Sequence, residues 1–146
     1  MPTRVLFVCV HNSARSQMAE GMLRAWGAPD WEAASAGLEA TFVRLEAIAV
    51  MEELGIDIGD QQSKTLDSLG TSRQGTTWGL AITLCDEAAE ACPMVPGAAR
   101  QLHWPLDDPS AARGTDEERL AVYRRVRDDL RERISELIEV GPPVAA

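Results

Sequence analysis

The stretch that decides the fold is Arg4-Val5-Leu6-Phe7-Val8-Cys9-Val10-His11-Asn12-Ser13-Ala14-Arg15-Ser16. Its short apolar run, rich in β-branched side chains, is typical of a strand buried on both faces over Arg4–Val10. The polar residues that follow predict a loop. From about Ser16, the spacing of Met18, Met22 and Trp26 predicts a helix with one apolar face, and Gly27 ends it. A strand, a short loop and a helix therefore follow one another directly.

The same alternation continues along the chain. We predict further strands at Trp31–Ala36, Leu80–Leu84 and Gln101–Trp104, and a buried helix at Val43–Leu54. A long amphipathic helix follows the capping-box pair Thr115 and Glu118. Alternating strands and helices predict an α/β fold: one domain over residues 1–146, with a four-stranded parallel sheet and helices on both faces. Ligands of such sheets bind beyond the carboxyl ends of the strands, so the chemistry is expected at one edge.

The composition excludes several classes of protein. The chain has 146 residues, 14 Lys+Arg against 23 Asp+Glu, a formal net charge of −9, and 45% hydrophobic residues. An acidic chain lacks the basic face on which nucleic-acid and anionic-membrane binding depend. Its longest apolar stretch, Val5–Val10, is far shorter than the roughly 20 residues of a membrane span. Three cysteines are too few for a disulfide scaffold and no secretory signal is recognisable, so we expect a cytoplasmic protein. We also expect a monomer.

The first loop has the features of an oxyanion site. Cys9 and Arg15 enclose five residues between a strand and a helix. The backbone N–H groups of such a loop can turn inward and bind a tetrahedral anion, supported by the positive end of the helix. Arg15 can bind the anion through two donors, and the same field stabilises a nucleophilic thiolate at Cys9. Ser16 can donate a hydrogen bond to that sulfur, and Asn12 tolerates the positive φ that a tight loop requires. The candidate anion-binding residues are Val10, His11, Asn12, Ser13, Ala14 and Arg15.

A second pair of cysteines follows the third predicted strand. Cys85 and Cys92 are seven residues apart, which on a helix separates them by about 10.5 Å along the axis. A disulfide needs Cα atoms within about 7 Å, so this pair can be linked only if the segment is not helical. Redox activity of the pair therefore implies a change of shape on oxidation. By itself the pair is more typical of two unrelated structural cysteines, and its spacing does not fit a zinc site.

Asp108 is the candidate general acid. It follows the fourth strand at the same sheet edge as Cys9, where it can protonate an oxygen that leaves when the thiolate attacks. Asp107 ranks second, and an Asp-Pro pair also begins ordinary turns.

Taken together, these motifs resemble the thioredoxin-coupled arsenate reductases, which share the fold of the low-molecular-weight protein tyrosine phosphatases. The resemblance covers nearly the whole chain, from Cys9–Ser16 with Gln17–Gly21, through Ser35-Ala36-Gly37 and Thr83-Leu84-Cys85, to Cys92-Pro93, His103-Trp104 and Asp107-Asp108-Pro109. It implies the following roles: Cys9 as nucleophile, Arg15 as anion ligand, Ser16 as thiolate partner, Asp108 as general acid, and Cys85 and Cys92 as the cysteines that carry the disulfide onward.

The resemblance also implies partners and cofactors. Arsenate would be the substrate, phosphate and sulfate competing anions, and a thioredoxin-type dithiol the reductant, with no tightly bound cofactor. Some members bind potassium, and Asn12, Glu20 and Ser35 match those positions. Lys64 stands where an acidic ligand is expected, so its ammonium can replace the ion and we predict no metal site.

Two other readings stay open. The first is a phosphatase that uses Cys9, Arg15 and Asp108 alone, although Ser110 stands where tyrosine phosphatases usually have an aromatic residue. The second is a non-catalytic module that binds oxyanions or senses thiol oxidation.

Overall fold

The computed structural model describes residues 2–69, 78–86, 95 and 97–142 of the chain. Within these ranges, four strands and three α-helices alternate along the sequence, with two short 3-10 turns. In chain order they are β1 (Thr3–Cys9), α1 (Arg15–Gly27), β2 (Trp31–Gly37), α2 (Leu45–Glu52), β3 (Leu80–Thr83), β4 (Gln101–His103) and α3 (Asp116–Val140). The 3-10 turns are Asp67–Leu69 and Pro109–Ala111.

The four strands form one parallel sheet in the order β2-β1-β3-β4. Cys9 at the end of β1 pairs with Gly37 at the end of β2, and Val8 pairs with Thr83 at the end of β3. Because the strands are parallel, their carboxyl ends share one edge. The loop after Cys9, the residues after Thr83 and the Asp108 turn after β4 all begin there, as predicted.

The two faces of the sheet are packed differently. Alternate residues of β1 and β3, such as Phe7 and Ile82, join a large apolar cluster with α1, α2 and α3. The opposite residues, such as Leu6 and Val8, pack with Trp78 and Val95. All three described α-helices therefore share the first core. Residues 70–77 and 87–94 lie outside the described part, so the predicted helical cover of the second face stays a prediction.

The helix α3 begins as its sequence indicates. The Thr115 hydroxyl accepts from the Glu118 N–H at 3.1 Å, and the Glu118 carboxylate accepts from the Thr115 N–H at 3.1 Å. The apolar stripe that follows is buried, including Tyr123, Leu130 and Ile134. A capping box satisfies two N–H groups that a helix start would otherwise leave without partners.

Two side chains predicted to be buried are exposed. Trp26 was expected on the inner face of α1 and is 38% exposed, because it lies in the last turn of α1, at the end of the core. Leu45 was expected within a buried helix and is 75% exposed, because it is the first residue of α2 and projects beyond the core. Within the described ranges, no helix combines the length and apolar character that crossing a membrane requires.

Candidate active site

The loop from Val10 to Ala14 turns its carbonyl groups away from its centre. The Val10 carbonyl accepts from the N–H groups of Leu38 and Glu39 at 2.9 and 3.0 Å, and the Ser13 carbonyl accepts from the Arg44 N–H at 3.0 Å. The His11 carbonyl accepts from Thr41 Oγ1 and Ser63 Oγ, each at 3.2 Å. In a planar trans peptide, the next residue's N–H points opposite to the carbonyl. The outward carbonyls therefore direct the following N–H groups to the concave side, where an anion can bind them.

The start of α1 adds to this anion site. Its N-cap is Ala14, which makes no side-chain capping hydrogen bond. The N–H groups of the first turn are therefore open to an anion and carry the partial positive charge of a helix N-terminus. Asn12 has a φ of 48°, the left-handed conformation expected from the sequence. The loop is thus built as a concave donor surface above Cys9.

Three hydrogen-bonded side chains set the environment of the Cys9 sulfur. Cys9 Sγ lies 2.8 Å from Ser16 Oγ, and Asn12 Nδ2 donates to the same Ser16 oxygen at 2.7 Å. All three residues are almost completely buried. When Cys9 is a thiolate, Ser16 is the donor in this contact, while its oxygen accepts from the Asn12 amide. A hydrogen bond donated to sulfur favours its anionic form, which is the nucleophile.

Arg15 connects the loop with the strand ends on its other side. Its side chain is 2% exposed, and Nη1 donates to the carbonyls of Leu84 and Leu106 at 3.3 and 3.2 Å. Its Nη2 lies 3.8 Å from Asp108 Oδ2. The guanidinium is therefore held in place before any anion binds, which lowers the entropy cost of binding.

Asp108 is fixed by the turn that follows it. Its Oδ1 accepts from the Ser110 N–H at 3.0 Å and from the Ser110 hydroxyl at 2.6 Å. Its Oδ2 faces Arg15, and the side chain stays 23% exposed. Ser110 therefore orients the carboxyl towards the anion site, a role that the sequence did not suggest for this residue. Asp107 is not among the groups that pair with Arg15 in the described contacts.

Cys85 lies near Cys9 by strand register. The Leu84 N–H donates to the Val8 carbonyl at 2.8 Å, which continues the ladder between β1 and β3. Cys85 is one residue further along the chain and is fully buried. With a strand spacing of about 4.8 Å and a rise of about 3.3 Å, its Cα would be roughly 6 Å from that of Cys9. That separation permits a disulfide. Cys92 lies outside the described residues.

Cationic side chains lie against the residues that were expected to bind potassium. Glu20, with its side chain 8% exposed, accepts from Ser35 Oγ at 2.5 Å. Its Oε1 also lies 3.8 Å from Lys64 Nζ, and its Oε2 pairs with Arg24. Two cationic side chains neutralise this carboxylate and repel a metal ion. These residues therefore do not fit a potassium site.

Several residues that support the loop were missed by sequence reasoning. Gln17 is fully buried and donates to the Asn12 carbonyl and Asn12 Oδ1 at 3.1 and 2.9 Å. A β-carbon on Gly37 would lie 2.7 Å from the Val10 carbonyl oxygen, so glycine is needed for the loop to approach β2. His11 Nδ1 lies 3.3 Å from Glu39 Oε2 at the rim of the loop, whereas the sequence suggested a role only for the His11 backbone. These roles arise from contacts between segments distant in sequence.

A thiol, a concave donor loop, a buried arginine and a carboxyl group at one sheet edge define an oxyanion-processing site of the phosphatase type. The chain belongs to the low molecular weight phosphotyrosine protein phosphatase family, which its residues 4–140 match. Within that family it is similar to the arsenate reductases. It is 44% identical to an arsenate reductase of Halalkalibacterium halodurans over 94% of this chain and 96% of the relative.

Solved structures support the same grouping. An arsenate reductase in the phosphate binding state superposes with a TM-score of 0.77 and 36% identity, covering 94% of this chain and 98% of the other. The thioredoxin-dependent arsenate reductase Cg_ArsC1' of Corynebacterium glutamicum superposes with a TM-score of 0.64 and 25% identity. That superposition covers 95% of this chain and 63% of the other. The resemblance inferred from the motifs and the predicted α/β fold are therefore confirmed.

Proposed function

We propose that this protein reduces arsenate to arsenite through a disulfide relay of Cys9, Cys85 and Cys92, and that a thioredoxin-type dithiol protein regenerates it in the cytoplasm. The observation that carries the proposal is the contact of Cys9 Sγ with Ser16 Oγ at 2.8 Å beneath the anion loop. A hydrogen-bonded sulfur under an oxyanion site is placed to attack the central atom of the bound anion. The similarity to arsenate reductases supports arsenic as that atom.

In the first step, arsenate binds the loop N–H groups and Arg15, and the Cys9 thiolate attacks arsenic. A sulfur–arsenic bond forms and an arsenic–oxygen bond breaks, with Asp108 donating the proton that lets the oxygen leave as water. The position of Asp108 Oδ2, 3.8 Å from Arg15 Nη2, supports this role, because it places the carboxyl beside the anion ligand.

In the second step, the Cys85 thiolate attacks the sulfur of Cys9. A Cys9–Cys85 disulfide forms, and the electron pair of the sulfur–arsenic bond stays on arsenic. Arsenic(V) thereby gains two electrons and leaves as arsenite, while two thiols lose two electrons. Cys92 then attacks Cys85, which frees Cys9 and leaves a Cys85–Cys92 disulfide.

The second step requires local rearrangement. Leu84 shares the apolar cluster of Cys9, whereas Cys85 belongs to neither of the core clusters formed by the described residues. Side chains alternate along a strand, so the Cys85 thiol can reach Cys9 only by a turn of the backbone beyond β3. A Cys85–Cys92 disulfide further requires that their segment is not helical. This change of shape would expose the disulfide to the external reductant. Similar amide-exchange protection of residues 85–92 in both redox states would contradict it.

A single-turnover thiol map tests the relay. Fully reduced protein is mixed anaerobically with arsenate, alkylated, digested and analysed by mass spectrometry, with phosphate as the matched control. We expect the loss of two thiols per chain and a Cys85–Cys92 linkage with arsenate only. Three free thiols after arsenate would contradict the relay.

Substitution of each cysteine separates the steps. Cys92→Ser should stop at a Cys9–Cys85 disulfide, and Cys85→Ser should stop at the arsenic adduct on Cys9. Cys9→Ser should leave Cys85 and Cys92 reduced. Normal turnover of Cys92→Ser with thioredoxin as reductant would show that the relay is wrong.

The second candidate function is phosphatase activity, which the match to the phosphotyrosine phosphatase family favours. Cys9, Arg15 and Asp108 are sufficient for it, and phosphate has nearly the shape and charge of arsenate. Ser110, hydrogen-bonded to Asp108, provides no aromatic face for a phosphotyrosine ring. We therefore expect slow hydrolysis of an activated aryl phosphate that persists in Cys92→Ser, whereas arsenate reduction does not.

A further inference from the structure

Lys64 is the only lysine of the chain, and every other basic side chain that carries a permanent charge is arginine. Its ammonium lies 3.8 Å from Glu20 Oε1 and donates to the Gln62 carbonyl at 3.1 Å. Its backbone N–H donates to Asn12 Oδ1 at 2.8 Å. One residue therefore contacts both a buried carboxylate behind the active site and the loop that forms it.

The residues 61–64, named here the brace, hold the loop from behind through several hydrogen bonds. Gln17 Nε2 donates to the Gln62 carbonyl at 3.0 Å, and Gln61 Nε2 donates to Gln17 Oε1 at 2.8 Å. Ser63 Oγ donates to the His11 carbonyl at 3.2 Å. The Lys64 carbonyl accepts from the Gly37 N–H at 2.9 Å. The brace is thereby joined to the loop, to α1 and to β2.

The orientation of the Asn12 amide depends on the brace. Asn12 Oδ1 accepts from the Lys64 N–H and from Gln17, so its Nδ2 must point to the other side, towards Ser16 Oγ. Ser16 Oγ in turn lies 2.8 Å from Cys9 Sγ and donates to it when Cys9 is a thiolate. Loss of the contacts at Oδ1 would free this amide to rotate and would weaken the hydrogen bond to the thiolate.

We propose that Lys64 is a positioning residue whose ammonium acts as a tethered cation on Glu20, in place of a monovalent metal ion. This ion pair keeps the brace in the position that orients Asn12 and Ser16 towards Cys9. A buried carboxylate such as Glu20 needs a positive partner, and Lys64 supplies it from the brace itself. Arg24, which lies on α1, pairs with Oε2, the other oxygen of the Glu20 carboxylate. The proposal takes Cys9 as the nucleophile of the proposed function, but its test uses no arsenate.

The test measures how fast Cys9 reacts with iodoacetamide in a chain whose Cys85 and Cys92 are changed to Ser. Lys64→Met removes the charge and keeps the chain length, and Lys64→Arg keeps the charge. The matched control is Arg119→Met, which breaks an exposed ion pair with Asp116 at the start of α3 and contacts neither Glu20 nor the brace in the described structure. Lys64→Met should slow alkylation at pH 7 about threefold or more, as expected when one hydrogen bond to a thiolate weakens. Lys64→Arg and Arg119→Met should react at the parent rate.

If Lys64→Met does not fold, two chemical modifications of the lysine in the folded protein test the same point. Reductive methylation keeps the charge of the single lysine, and acetylation removes it, while both modify the N-terminal amine. Only the acetylated protein should show slower Cys9 alkylation. Equal rates in both proteins, or in Lys64→Met and its parent, would overturn the proposal.

Potassium provides an independent readout. Exchange of sodium chloride for potassium chloride at equal ionic strength should change neither the Tm nor the alkylation rate of the unmodified chain. A potassium-specific rise in either would overturn the tethered-cation role. Arsenate reduction is not measured in any of these experiments, so their failure and the failure of the cysteine relay are distinguishable.

Discussion

Gly37→Ala provides a direct test of how closely the anion loop depends on β2. The new β-carbon would lie 2.7 Å from the Val10 carbonyl oxygen, 2.9 Å from the Asn12 nitrogen and 3.0 Å from the Cys9 carbonyl oxygen. Ordinary contact begins at 3.4 Å, so backbone must move by about 0.7 Å, the difference between 3.4 and 2.7 Å. Because all three atoms are main chain, no side-chain rotation can relieve the contact.

The size of the effect follows from that displacement. Overpacking of this kind costs about 1–3 kcal/mol of stability, and a shift of 1 Å at a reacting centre costs about 100-fold in rate. We therefore expect a Tm lower by roughly 3–10 °C, and a loss of about 10- to 30-fold in kcat/KM for arsenate. Phosphate affinity measured by calorimetry should fall as well, because the same N–H groups bind it.

Gly79→Ala is the matched control for this substitution. Its β-carbon would lie 3.4 Å from Thr3 Cγ2 and 3.5 Å from the Arg4 carbonyl oxygen, which is ordinary contact. We expect its Tm and kcat/KM to stay close to those of the parent. If Gly37→Ala bound phosphate and turned over like Gly79→Ala, the close approach of β2 would not shape the loop.

Three further predictions concern single groups. Ser16→Ala removes the donor to Cys9 Sγ and the acceptor of Asn12 Nδ2, so Cys9 alkylation should slow by about tenfold, whereas exposed Ser68→Ala should react normally. Burial, with a smaller contribution from the Glu46 carboxylate, raises the pKa of Tyr123, the only tyrosine, to about 12. The resulting stability is complete below pH 10 and is lost as pH rises through 12. Absorbance at 295 nm should therefore titrate near 12 in folded protein, and a midpoint near 10 would refute the role of burial. Thr115→Ala should cost about 1 kcal/mol by loss of the cap, measured by urea unfolding against the exposed control Ser135→Ala, and equal stability of the two would refute it.

Local patterns predicted most of the elements and the gathering of Cys9, Arg15 and Asp108 at one sheet edge. The β-branched run before Cys9, the capping box at Thr115 and the spacing of Cys9 and Arg15 each depend on residues close together in sequence. Periodicity and capping report such local preferences directly. Trp26 and Leu45 were wrongly placed because an apolar residue at an element's end follows the spacing without reaching the core. The potassium positions were suggested by the resemblance alone, and the structure adds that Arg24 and Lys64 pair with Glu20.

The sequence by itself determined that Cys9, Arg15 and the loop between them would stand at one edge of a parallel sheet, because strand, loop and helix are contiguous there. Only the tertiary structure decided how that loop is held. Gly37, Gln17 and the brace reach it from separate segments, and the Asn12 amide points at Ser16 because Lys64 and Gln17 occupy its oxygen. The direction of a hydrogen bond depends on which donors surround a group in three dimensions, and no spacing along the chain records that.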